Sequence, residues 1–84
     1  ETSLVMSCPN RPGAVYALLE PIARHGVSMS RIESRPARTG LWEYLFFIDL
    51  VGHRDDAPVA AAIAELAGKA PFLKLLGSYP AATD

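Results

Sequence analysis

Apolar residues recur along the chain with two spacings, and the spacing switches at prolines and glycines. Over residues 3–8, Leu4, Met6 and Cys8 fall on one side of an alternating run, the period of a strand, and Pro9 ends it. From 12 to 25 the period lengthens. Val15, Leu18, Leu19, Ile22 and Ala23 stand at i, i+3, i+4, i+7 and i+8, which predicts an amphipathic helix with one buried stripe. Pro12 lacks an amide hydrogen and has a fixed φ, so it suits the first helical position. Pro21 removes one internal bond and predicts a kink or a loosened last turn. Gly26 is the natural stop, and His25 lies where the helix dipole favours a cation.

Residues 27–36 form a weaker, polar strand. Met29 and Ile32 have opposite parity, which predicts a bulge or a late start. The charge on Arg31, Glu33 and Arg35 suits an edge strand. Residues 37–40 make a hairpin connection with Gly40. Residues 41–51 are the strongest strand: Trp42, Tyr44, Phe46, Ile48 and Leu50 face the core, and Glu43, Leu45, Phe47 and Asp49 face the other way. Leu45 and Phe47 are unusual on a face left to water and hint at a covering partner. After a turn over 52–56, Asp55 or Asp56 caps a second helix with Pro58 in its first turn. Val59, Ile63, Leu66 and Ala67 are its stripe, and 68–71 close it. Residues 72–79 are a last strand, ended by Pro80.

The order β-α-β-β-α-β, with right-handed crossovers and a hairpin between strands two and three, predicts an α+β, ferredoxin-like fold. It is a four-stranded antiparallel sheet of order 4-1-3-2 with both helices on one face. Strand two is an edge, and the turn over 10–15 lies near it.

Composition narrows the function. The 84 residues make one domain, half of them hydrophobic and a fifth charged. A net charge of −1 argues against a nucleic-acid or anionic-membrane surface. No apolar run is long enough to span a bilayer. One cysteine cannot form an internal disulfide and fits a reducing, cytoplasmic compartment. The first residue is Glu1 rather than Met, so the chain reads as a piece of something longer.

The chemistry is sparse. Cys8, His25 and His53 lack the close spacing of a metal site, so no metal or cofactor is expected. No nucleophile elbow, phosphate loop or dinucleotide fingerprint occurs. Glu33 and Asp49 read as separate solvated charges. RNA-recognition domains share this element order, but the basic-Gly-aromatic opening of their third strand is missing. An acylphosphatase-like enzyme would need an arginine- and glycine-rich phosphate loop, and Asn10–Arg11–Pro12–Gly13 matches that poorly. The same turn can offer backbone N–H groups at a helix start to a carboxylate. A second copy, joined through strand two, would bring its own strand beside that turn and complete a site for a small zwitterion, with Asn10 or a carbonyl for the ammonium.

Two motifs carry a resemblance. Asn10–Arg11–Pro12–Gly13–Ala14–Val15 is similar to the Gly-Ala-Leu-Val stretch of ACT domains, and Glu33–Ser34–Arg35–Pro36 is identical to the Glu-Ser-Arg-Pro motif of the C-terminal ACT domain of prephenate dehydratases. The flanks 40–44 and 76–80 resemble that family too. The resemblance covers residues 3–80 as an ACT regulatory domain, with 81–84 a tail. It implies feedback binding of L-phenylalanine between two ACT domains, through Asn10, Arg11, Pro12, Gly13, Ala14, Val15, Ile32, Glu33, Ser34, Arg35 and Pro36. It also implies a homodimer or tetramer formed through strand two, a catalytic prephenate dehydratase domain elsewhere in the parent chain, and no catalysis by this piece. Val15 and Tyr16 depart from the family's usual Leu and Val; Tyr16 is the larger change and bears on pocket size. A ligand-independent dimerisation module is the alternative.

Overall fold

In the structure, a computed structural model, residues 1–9, 12–36 and 43–78 are described. The elements follow as β1 (Thr2–Pro9), α1 (Ala14–Arg24), β2 (Met29–Pro36), β3 (Glu43–Leu50), α2 (Ala57–Lys69) and β4 (Leu73–Ser78). The sheet order is β2-β3-β1-β4, the expected order read from its other edge, and every neighbouring pair is antiparallel. Expectations for the hairpin over 37–40, for Leu41 and Trp42, for Tyr79 and Pro80, and for the tail 81–84 fall outside the described residues.

The alternation in β1 and β3 fixes which face is covered. Leu4, Met6 and Cys8 stand opposite Ile48, Phe46 and Tyr44, and directly opposed residues share a face. Leu18 and Ile22 of α1 and Val59, Ala62 and Leu66 of α2 close over them as one buried cluster. Each such Leu or Ile side chain removed from water contributes about 1.5–3 kcal/mol. The opposite face of the sheet carries Ser3, Val5 and Ser7 beside Asp49, Phe47 and Leu45 and bears neither helix.

Both helices are rotated slightly from the expected phase. Val15 and Ala23 are exposed, and Pro21 takes a buried place beside Leu18 and Ile22. In α2, Ala67 is exposed and Ala62 is buried in its stead. A stripe read at i, i+3, i+4 does not say which flank meets another element; here the flank toward the partner helix wins. Pro12 is also not the first helical residue. Gly13 is the N-cap, at φ +78°, so the chain reverses there and α1 starts at Ala14. Gly68 lies inside α2, which runs on to Lys69.

The C-terminus of α1 ends as Gly26 predicts. Gly26 takes φ +72°, its N–H bonds to Ala23 O at 3.0 Å, and the Val27 N–H bonds to Ile22 O at 3.0 Å. That pair of bonds satisfies two of the carbonyls a helix end leaves open, and it delivers Val27 into the core. Asp56 caps α2 by position, but its side chain turns back to accept the His53 N–H at 3.0 Å. At the C-terminal end of α1, Arg24 binds Glu20 at 2.8 Å and also Glu65 of α2, and His25 Nε2 lies 2.8 Å from Glu65 Oε1. The Arg24 and His25 contacts hold the Glu65 carboxyl down at about 2, and the two carboxylates hold Arg24 above its usual range.

Candidate functional site

The turn into α1 leaves the start of the helix without a side-chain cap. Helix geometry leaves the N–H groups of Ala14, Val15 and Tyr16 without an intrahelical acceptor; the first bond is Ala17 N–H to Gly13 O, 3.0 Å. Gly13 supplies no side-chain cap, and a Cβ placed on it would meet nothing within 4 Å. Glycine is required there by the positive φ, not by crowding. The three amides lie at the positive end of a helix dipole with no side-chain cap from Gly13, a setting that favours a carboxylate. Val15 and Tyr16, 41% and 73% exposed, flank them. Asn10 and Arg11 lie outside the described residues.

The second half of the expected site splits between the two faces of the sheet. Ile32, Ser34 and Pro36 oppose Ile48, Phe46 and Tyr44, so they lie on the helix side. Glu33 and Arg35 oppose Phe47 and Leu45 on the helix-free side. All of β2 is exposed, because the helices cover the inner strands only. Right-handed crossovers place α1 toward β2 and α2 toward β4. The flank of α1 that bears Val15, Leu19 and Ala23 therefore looks over β2. Pro36, Tyr44 and Cys8 form one row across the sheet, so the turn after β1 stands at the Pro36 end of β2, about 10 Å away by strand spacing. Within one chain the two motifs share an end of the sheet, with β3 between them.

The bulge foreseen from Met29 and Ile32 is present: the β2–β3 register shifts between Met29 and Arg31, and from Arg31 to Pro36 the pairing is regular. Glu33 and Asp49 are not separate, as their spacing had implied. Arg31 joins them, with Nη1 3.3 Å from Glu33 and Nε 3.2 Å from Asp49, and Ser3 Oγ donates to Asp49 at 2.6 Å. Only the β2–β3 register brings them together, and the sequence does not give that register. Arg35 reaches Glu33 at 3.8 Å, and its guanidinium lies 5.4 Å from the Phe47 ring centre. Phe47, half-buried, thus receives part of its cover from its own chain.

One cleft escaped the sequence reading. It encloses about 270 Å³ between Pro9, Ala14, Ala17, Leu18, Lys69 and Pro71, on the α2 side of α1. Three elements build it, so no spacing could signal it. Among the described residues no three His, Cys, Asp or Glu side chains group as a metal site, and no helix is long and apolar enough to cross a membrane.

A ferredoxin-like module with an uncapped helix start and a bare edge strand is the class these features define. Its relatives are specific. The ACT domain family model matches residues 2–68, and the chain belongs to that family. It is 54% identical over 82 residues to the bifunctional chorismate mutase/prephenate dehydratase of Neisseria gonorrhoeae, covering 98% of this chain and 23% of that protein. Among solved structures it is similar to GqqA, a quorum-quenching acylase, with TM-score 0.91 and 36% identity, covering 96% of this chain and 42% of that one. It is also similar to the Arthrobacter aurescens prephenate dehydratase in complex with L-Phe, with TM-score 0.83 and 43% identity, covering 90% of this chain and 25% of that one. The chain spans about a quarter of the length of the prephenate dehydratases it matches.

Proposed function

We propose that this chain is the amino-acid-sensing regulatory domain of a prephenate dehydratase, that it pairs with a second copy through β2, and that L-phenylalanine binds between the copies. The observation that carries this reading is the open Gly13 turn beside a fully exposed β2, in a chain similar to a dehydratase solved with L-Phe. Pairing two β2 edges sets the α1 helices roughly 14–19 Å apart by strand spacing. Allowing about 10 Å for a helix diameter leaves a trench about as wide as one aromatic side chain.

In that trench the ligand carboxylate takes the amides of Ala14, Val15 and Tyr16. The ring lies against Val15 on the wall and Ile32, Ser34 and Pro36 on the floor, while Ala14, whose side chain lines the cleft on the α2 side, contributes its amide. Pro12 and Gly13 shape the turn, and Asn10 and Arg11 complete the set of ligand residues, with Asn10 as a partner for the ammonium. Glu33 and Arg35 contribute backbone rather than charge, since their side chains belong to the other face. Ligand that favours one arrangement of the paired domains then biases the catalytic region of the parent chain, giving feedback control in the cytoplasm. The 84 residues alone carry no catalysis.

Calorimetric titration with L-phenylalanine, L-tyrosine, L-tryptophan and L-serine tests this. Saturable heat with an aromatic amino acid supports it; a folded dimer silent to all of them refutes it. The exposure of Tyr16 favours one rival, a pairing module whose trench the Tyr16 rings fill. That rival predicts a dimer that ignores amino acids until Tyr16→Val opens the site.

A further inference from the structure

Two exposed β2 edges can meet in several registers, and the distribution of charge and regularity along β2 selects one. We infer that the strands pair antiparallel about a two-fold axis at Ser34. Glu33 of each copy then faces the partner's Arg35 on the helix-free side, and Ile32 of each copy faces the partner's Pro36 on the helix side. This rests on the reading above that the β2 edges pair.

Directly opposed residues of an antiparallel pair share a face, so a two-fold that keeps the faces matched passes through a residue position. On the helix-free side β2 presents plus, minus, plus at Arg31, Glu33 and Arg35. An axis at Glu33 sets that carboxylate against the partner's Glu33 and Arg31 against the partner's Arg35, like charge on like charge throughout. Axes at Ile32 and Ser34 both pair opposite charges, Arg31 with the partner's Glu33 or Glu33 with the partner's Arg35.

Three observations separate those two. Arg31 is already engaged, 3.2 Å from Asp49 and 3.3 Å from Glu33. Arg35 holds Glu33 only at 3.8 Å and is the more exposed, 68% against 58%. The bulge between Met29 and Arg31 breaks the even spacing at one end of β2, so an axis at Ile32 would lay the bulge against the partner's regular segment. The axis at Ser34 uses residues 32–36 alone, all of them regular. It also puts Pro36, which has no N–H to give, at the ends of the paired stretch. On the helix side it buries Ile32, 42% exposed in the single chain, against the partner's Pro36. Because Pro36 stands level with the Gly13 turn, the partner's Ile32 arrives beside that turn and closes the trench from the other chain.

Single cysteines read the register. Opposed Cα atoms in an antiparallel pair lie within disulfide range. Under mild oxidation Ser34→Cys is expected to form a covalent dimer about tenfold faster than Ile32→Cys or Glu33→Cys, whose sulfurs are offset along the strands. Cys8 stays in place, buried. A charge-reversal series gives a second reading by sedimentation: Glu33→Arg or Arg35→Glu alone lowers the dimer fraction, and the double variant restores it. Preferential cross-linking at residue 32 or 33, or rescue of Glu33→Arg by Arg31→Glu instead, overturns the register and leaves edge pairing standing. A wild-type chain that sediments as a monomer throughout overturns the pairing itself and the register with it.

Discussion

The two edges of the sheet are built to opposite ends. β2 is exposed along its whole length and regular from Arg31 to Pro36, with its bulge pushed to the far end. β4 is shorter, its pairing with β1 slips between Ser3 and Leu4, and Gly77 sits at φ +152° beside that slip. A slipped, glycine-broken edge with Lys74 exposed on it resists a further strand. A flat stretch with alternating charge invites one of matching pattern. The exposed apolar residues differ in kind as well. Val15, Tyr16, Met29 and Ile32 are exposed on the β2 side of the molecule, whereas Leu76 is exposed on β4 and Phe72 just before it. The lesson is that pairing capacity lies less in the amount of exposed edge than in where its irregularity falls.

Substitutions in the core, at each edge and at the turn should differ in the size of their effect. Leu66→Ala cuts the core both edges rest on; Leu66 is fully buried, and the loss should be about 2–5 kcal/mol of stability by denaturant unfolding. Ile32→Lys puts a charge into the proposed seam and should weaken the dimer on the order of a hundredfold by sedimentation, while monomer stability moves by less than about 0.5 kcal/mol. Leu76→Lys, the same change on the other edge, should leave the dimer unaltered. Equal weakening by both would erase the distinction between the edges. Gly13→Ala should cost about 1–2 kcal/mol through its left-handed backbone alone, since no atom obstructs the new methyl, and it should weaken amino-acid binding without changing the dimer.

The smallest effect is a matter of pH. Glu65 is held at about 2 in the fold against 4.5 ordinarily, so on acidification the unfolded chain takes the proton first. Its contribution is complete above pH 4.5 and is lost as pH falls toward 2. Glu65→Gln should flatten that part of the stability profile. Both edges should respond alike, because the contact joins α1 to α2 and touches neither.

Much of the architecture was legible in the residues. Alternation named the core faces of β1 and β3, Gly26 marked a real helix end, and the parity clash of Met29 with Ile32 located the bulge. What escaped was whatever depends on a neighbour. Val15 and Ala23 fit the periodic stripe, yet they lie on the exposed flank over β2, while Pro21 and Ala62 lie on the flanks toward the partner helix and are buried. Pro12 resembles a first helical residue, but the left-handed Gly13 after it postpones the helix. The Glu33–Pro36 motif reads as one patch in the sequence. Strand geometry divides it, sending Ile32, Ser34 and Pro36 to one side of the sheet and Glu33 and Arg35 to the other. Under the proposed pairing, the first set belongs to the trench and the second to the contact between chains.

The central claim is a ligand site that needs two chains. Calorimetric titration of L-phenylalanine into the wild-type chain and into Glu33→Arg tests it most directly, because the side chain of residue 33 lies on the helix-free face and, under the proposed pairing, bears on binding only through the second chain. The wild-type dimer is expected to give saturable heat, approaching one ligand per chain, and the monomeric variant none. Equal binding by a monomeric Glu33→Arg, or a folded wild-type dimer with no heat at all, would contradict it.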